Sequence, residues 1–187
     1  MPTYVSPKPP RYTVAWMGGV EEIRIPARRN WLTLLFLPVW IVVWTVGGIA
    51  VLGSLFTHFD LFLAVWLLFW ALGWVIAVAT ILWNLRGLEF IRVVGGDLEI
   101  GYRAAFLTKS WLYRGSEIRG LSAAQGLSLF ERMAGFDFPM VFGRRMGSVK
   151  FSHGARTIHA ASALDEAEGR LIVAWLATRL PPQATAP

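Results

Sequence analysis

The chain has 187 residues, 55% of them apolar and 16% charged, with ten Trp, twelve Phe and no Cys. Ordinary soluble domains hold about 45–50% apolar and about 25% charged residues, so this composition points to a membrane class and excludes disorder, disulfide scaffolds, Cys-ligated zinc and iron–sulfur clusters. The net charge of +6 raises nucleic acid as a partner, but its distribution assigns it to membrane topology.

Residues 1–30 divide into a tail and a hairpin. Pro2, Pro7, Pro9 and Pro10 predict an extended tail. Tyr12–Trp16 and Val20–Ile25 then flank Gly18-Gly19, a two-residue β-hairpin signal, and Pro26 ends the second strand. The chain continues through Ala27-Arg28-Arg29-Asn30.

Residues 31–83 predict a transmembrane helical hairpin. Trp31 to Phe56 is a run of 26 residues without a charge, and Leu61 to Trp83 a run of 23. Crossing the hydrocarbon core takes about 20 residues, so each run is a span, joined antiparallel by the loop 57–60. The first run starts too late and is too long for a signal core. The loop has no Lys or Arg, whereas Arg11, Arg24, Arg28 and Arg29 precede the first span and Arg86, Arg92 and Arg103 follow the second. By segment the formal charge is +3 for residues 1–30, −1 for the loop and +4 for residues 86–187. The positive-inside bias therefore predicts that both termini are cytoplasmic. Neither span contains Asp, Glu, Lys, Arg or His. That argues against a proton relay, an ion pathway or histidine ligation of a pigment by this chain.

Tryptophans pattern the spans. Trp31 and Trp83 fall at span ends, in interfacial-belt positions. Trp40 and Trp44, and Trp66, Trp70 and Trp74, recur every fourth residue and form stripes on helix faces. Such stripes serve packing within the hairpin or lipid exposure, or contact with another subunit, a pigment or a quinone. Ala50 and Ser54, with Gly73 and Ala77, offer a competing small-residue surface, and Pro38 predicts a mild kink.

Residues 84–180 read as strands and then a helix. Leu88–Val94, Leu98–Ala104 and Leu107–Tyr113 alternate, Gly95-Gly96-Asp97 turns the first pair, and a short strand covers Ser116–Ser122. Ser148–Ser152 and Arg156–Ala160 predict another hairpin. A helix is predicted over 162–180, starting at Ser162 or Asp165, with Leu164, Ala167, Leu171, Ile172 and Trp175 on its buried face. Pro181-Pro182 stops it, and 181–187 form a tail.

This order resembles the bacterial PH-like domains, in which a bent antiparallel sheet is closed by a C-terminal helix. The whole chain resembles a family of poorly characterised bacterial inner-membrane proteins. The residues that carry the likeness are Ile25, Pro26, Asn30 and Trp31 at the membrane entry, the Trp-rich hairpin, and Gly147–Phe151 through Ser162–Ile172. Family members often close the last strand with Arg-Phe-Gly, where this chain has Ile158-His159-Ala160. The resemblance implies a membrane α plus β protein: a two-span hairpin and a small antiparallel PH-like cytoplasmic domain in the bacterial inner membrane.

The chemistry-bearing residues are sparse. His153 and His159 are expected to face each other across their hairpin, with Lys150 near and Asp137 as a conceivable metal partner. Asp97 and Glu99, two apart, share a strand face. Both sets read more simply as solvated sheet residues, and no Walker loop, GxGxxG or GxSxG motif occurs. Two basic groups are binding candidates. Arg28, Arg29 and Arg86 suit an anionic lipid headgroup. Arg144 and Arg145, beside Phe136, Phe138, Met140 and Phe142, suit a partner or membrane surface. The expected function is non-catalytic: an accessory, structural or assembly subunit of a larger bilayer complex, with respiratory or photosynthetic complexes as reasonable hosts. Its partners are other membrane protein subunits and the lipid bilayer, with no nucleic acid. No cofactor of its own is expected, only bound lipid or a neighbouring subunit's pigment. The alternative is a membrane-tethered PH-like sensor that binds anionic headgroups or a peptide.

Overall fold

The computed structural model describes residues 9–124 and 147–186. The chain forms two compact units, one from Met1–Pro26 with Leu88–Pro187 and one from Ala27–Gly87.

The first unit is antiparallel β with a C-terminal helix. Strands β1 (Thr13–Met17), β2 (Val20–Pro26), β3 (Gly87–Val94), β4 (Asp97–Ala104) and β5 (Leu107–Tyr113) form one sheet in chain order. Strands β6 (Ile118–Ala123), β7 (Val149–His153) and β8 (Arg156–Ala160) form a second. Gly18-Gly19 and Gly95-Gly96 all take positive φ, between 60° and 87°, which the tight turns at β1–β2 and β3–β4 require. The N-terminal hairpin is not a separate appendage. β2 pairs with β3 from Glu22↔Arg92 to Pro26↔Leu88, so the helical hairpin is an insertion between two neighbouring strands.

Period-two alternation sends Ile23, Ile25, Ile91, Leu98 and Ile100 to one side of the larger sheet. There they share a core with Ile118, Val149 and Phe151 of the smaller sheet and with Ile172 and Leu176 of helix α3 (Glu166–Ala177). Glu89 is also on the core side, and its carboxylate accepts from Ala161 N (2.8 Å) and Ser162 N (3.3 Å). Burying a carboxylate is costly unless it is hydrogen-bonded. Here it serves the two backbone donors between β8 and α3.

α3 is shorter than the predicted 162–180. Asp165 is its N-cap in a reciprocal capping box with Glu168, which leaves Ser162 in the preceding loop. Its buried residues are Gly169, Ile172 and Leu176, whereas Leu171 points outward at 55% exposure. Gly169 is needed here, because a Cβ would lie 2.5 Å from Ser148 O. The strand predicted at Ser116–Ser122 begins as a 3-10 turn, Gly115–Glu117, because Asp97 Oδ1 captures Gly115 N (2.9 Å).

The second unit is a pair of helices, α1 (Trp31–Thr57) and α2 (Leu61–Arg86), each long and apolar enough to cross a membrane. Only 11% and 6% of their most apolar stretches are buried, unlike the core helices of a soluble domain. α2 runs three residues beyond the predicted span end at Trp83. Asn30 caps α1 by accepting from Leu32 N and Thr33 N, and Asp60 caps α2 by accepting from Phe62 N and Leu63 N. At the opposite end from the Asp60 loop, Asn30 N donates to Asn84 Oδ1 (3.1 Å), Asn84 Nδ2 to Thr80 O (2.9 Å) and Ala27 N to Gly87 O (2.9 Å).

The tryptophan stripes lie between these two helices. Trp70 Nε1 donates to Trp44 O (3.0 Å) and Trp44 Nε1 to Trp70 O (3.4 Å), a reciprocal bond, while Trp74 Nε1 donates to Thr45 Oγ1 (2.9 Å). Trp40 stacks on Trp44 at 4.4 Å between centroids, and Trp44 meets Trp66 at 6.4 Å. Close packing and these hydrogen bonds hold the pair together. The close approach is at Gly48, not at Ala50, Ser54 or Gly73: a Cβ on Gly48 would lie 2.1 Å from the Trp70 ring, whereas Gly47 and Gly73 face open space. Gly48→Ala is therefore expected to destabilise the hairpin by about 1–3 kcal/mol through overpacking. The neighbouring Gly47→Ala should be neutral or slightly stabilising. Denaturant titration of the detergent-solubilised chain, followed by tryptophan fluorescence, checks the contrast.

Candidate functional site

The predicted site residues separate into three outcomes. Trp40, Trp44, Trp66, Trp70 and Trp74 contact one another or the facing helix, and the indole N–H groups of Trp44, Trp70 and Trp74 are satisfied inside the hairpin. Arg28 and Arg29 are exposed just before the α1 cap, and Arg86 is exposed at the end of α2. The Asn30–Asn84 and Ala27–Gly87 bonds join those two chain ends, so the three cations share one end of the hairpin. Arg144 and Arg145, with Phe136, Asp137, Phe138, Met140 and Phe142, lie outside the described residues.

The histidines do not face each other. In the β7–β8 register His153 is opposite Arg156 and His159 is opposite Lys150. The tight turn at Gly154 makes His153 and Arg156 the turn-flanking pair, which places His159 three residues further along β8. His153 Nε2 instead lies 3.1 Å from Glu117 Oε2, with Tyr113 edge-on at 5.4 Å. Asp97 and Glu99 likewise do not act together. Asp97 Oδ1 is occupied by Gly115 N, and Glu99 Oε2 accepts from Arg92 Nε at 2.7 Å.

That last pair belongs to a cluster the sequence reading did not single out. On the side of the larger sheet opposite the isoleucines, β2 contributes Glu22 and Arg24, β3 contributes Phe90 and Arg92, and β4 contributes Glu99 and Arg103. Glu22 is fully buried, at 0% exposure, while the arginine side chains remain 27–29% exposed. Arg24 Nε donates to Glu22 Oε1 at 2.8 Å. Arg103 and Arg92 stand further off, with Nη1 at 3.8 Å from Oε1 and 4.0 Å from Oε2 respectively. The Phe90 ring holds both guanidiniums, at 4.9 Å from Arg103 and 5.6 Å from Arg92. Gly101 makes room for that ring, since a Cβ there would lie 2.3 Å from Phe90 Cζ.

Three guanidiniums against two carboxylates leave one net positive charge. The hydrogen bond from Arg92 lowers the Glu99 pKa against the opposing effect of burial, with Ser110 adding a second bond. The same bond raises Arg92. The sequence signal was present as charges at period two on three strands: Glu22-x-Arg24, Phe90-x-Arg92 and Glu99-x-Gly101-x-Arg103.

Comparison of the chain with protein-family models, curated proteins and solved structures finds no match.

The lowered Glu99 value fixes a pH dependence. A carboxyl whose folded pKa is depressed contributes stability above its unfolded value and loses it as pH falls through the folded one. Glu99→Gln is thus expected to be less stable at neutral pH and to lose less of its remaining stability on acidification, as measured by denaturant midpoints between neutral and strongly acid pH.

Proposed function

We propose that the chain is a non-catalytic integral protein of the bacterial inner membrane, an accessory or assembly subunit of a larger respiratory or photosynthetic type of membrane complex. In this reading the helical hairpin is the anchor, both termini are cytoplasmic, and the β unit is a PH-like docking domain. The orientation rests on the arginines flanking the spans and their absence from the 57–60 loop. The PH-like assignment rests on antiparallel strands followed by one closing helix.

The observation that carries the reading is the exposed apolar surface of the two outermost strands of the larger sheet, among the described residues. These strands are β1 and β5. β1 exposes Val14, Trp16 and Met17 and has no charge, while Phe106, Leu107 and Leu112 are exposed in β5 and the turn before it. The β5 cation, Lys109, lies over the Trp111 ring at 5.1 Å. Proteins ordinarily protect sheet edges with charges, prolines or covering elements, and apolar edges of this kind suit strand addition by a partner.

A second observation favours headgroup contact at the end of the helical hairpin, outside the PH-like unit. Arg28, Arg29 and Arg86 gather at one end of the hairpin, where each adds roughly 1 kcal/mol of attraction to an anionic leaflet.

Extraction in mild detergent followed by native electrophoresis tests the subunit reading. Wild type is expected to migrate in an assembly well above its own 20.9 kDa. Trp16→Lys combined with Leu112→Lys should leave the assembly while keeping its circular dichroism. Wild type migrating alone, or the double variant remaining assembled, overturns the proposal.

A further inference from the structure

We propose that Glu22, Arg24, Arg92 and Arg103 form a binding site for a protonated phosphate group: hydrogen phosphate itself or a phosphate monoester.

Two features mark the cluster as more than an internal salt-bridge lattice. The first is a surplus of donors. A guanidinium carries five N–H groups, yet within the described residues Arg103 donates no hydrogen bond. Arg92 donates one, to Glu99, and Arg24 donates to Glu22 and to Met17 Sδ. Charge-assisted N–H···O bonds close at about 2.7–2.9 Å. The 3.8 and 4.0 Å gaps from Arg103 and Arg92 to Glu22 are therefore unmade hydrogen bonds, and both guanidiniums lie over the Phe90 ring. The second is an orphan acceptor. Glu22 Oε2 is buried without a hydrogen-bond partner, with only the Arg92 guanidinium 4.0 Å away to offset its desolvation.

One ligand class answers both needs. Phosphate oxygens accept from arginine forks, two bonds per guanidinium, and three arginines on neighbouring strands can converge on one tetrahedral group. A carboxylate or sulfate would satisfy the arginines but place a second bare acceptor against Glu22 Oε2. A phosphate that keeps one P–OH donates that proton to Oε2 and accepts at its remaining oxygens. Glu22 is then the selectivity element, and rotation of the partly exposed Arg92 side chain, 4.0 Å from Oε2, admits the ligand. These residues are different from Arg28, Arg29 and Arg86, and the site stands whether or not those three bind headgroups.

Titration calorimetry on the full chain in detergent, with inorganic phosphate and with sulfate near neutral pH, tests the site directly. Wild type is expected to bind phosphate saturably and at least tenfold more tightly than sulfate. Arg103→Gln, which breaks no hydrogen bond of the described fold, should weaken phosphate at least tenfold, and Glu22→Gln should erase the preference over sulfate. A parallel arm uses nanodiscs containing phosphatidic acid, a monoester, or phosphatidylglycerol, a diester without a P–OH. Arg103-dependent preference for phosphatidic acid identifies the source as a headgroup, and binding of inorganic phosphate alone identifies a free ligand. Either result supports the site. Absence of saturable binding in both arms, equal binding of phosphate and sulfate, or an unchanged Arg103→Gln overturns it, even if Glu22→Gln fails to fold.

Discussion

The pairing of β2 with β3 is the constraint on which the rest of the structure depends. It joins strands separated in sequence by two long helices, and its register has three consequences. Ile23 is set against Ile91 in the core, Ile25 is set beside Glu89, and Glu22 is set beside Arg92 on the other face. A shift by one residue would exchange the two faces, sending the isoleucines to the arginine side and Glu22 into the apolar core. The same pairing means that the chain leaves the sheet and returns to it between adjacent strands. The inserted segment must therefore come back on itself, and an antiparallel helix pair does so.

The hairpin and the sheet unit solve one problem with different groups. In both, a polar group removed from water must find a partner. The hairpin does this with tryptophans, whose indoles donate to carbonyls and a hydroxyl of the facing helix. Since the spans carry no charge, the surface they turn outward is apolar. In the sheet unit both Glu89 carboxylate oxygens accept from backbone donors. Glu22, equally buried, differs: one oxygen is bonded and the other has no hydrogen-bond partner. That contrast between two buried glutamates is what separates a structural carboxylate from a candidate binding group.

Much of this was legible in the sequence. The helix pair, the Gly18-Gly19 hairpin and most strand positions followed from apolar run length, period-two alternation and turn glycines, which are local signals. Joining β2 to β3 was not legible, because strand pairing across an insertion leaves no mark within either strand. The His153–His159 expectation failed for a related reason, since it needed the register, which the turn at Gly154 sets. Trp66, Trp70 and Trp74 were visible as a stripe, but whether their indoles turn inward depends on Gly48 and Thr45 of the other helix. The arginine cluster was not legible because its members are dispersed over three strands, and Arg24, Arg92 and Arg103 each read as a topology-setting charge beside the spans.

The absence of cysteine allows the β2–β3 register to be measured directly. Facing residues of an antiparallel pair lie about 4.5–5.5 Å apart at Cα, within disulfide range, whereas diagonal neighbours at about 7–8 Å are not. Pro26 and Leu88 face each other at the strand ends. Under mild oxidation of the full chain, Pro26→Cys combined with Leu88→Cys should form an intramolecular disulfide rapidly and in high yield, and Arg24→Cys combined with Leu88→Cys should not. Equal yields from the two pairs, or none from the first, would contradict the pairing on which the fold and the arginine site both rest.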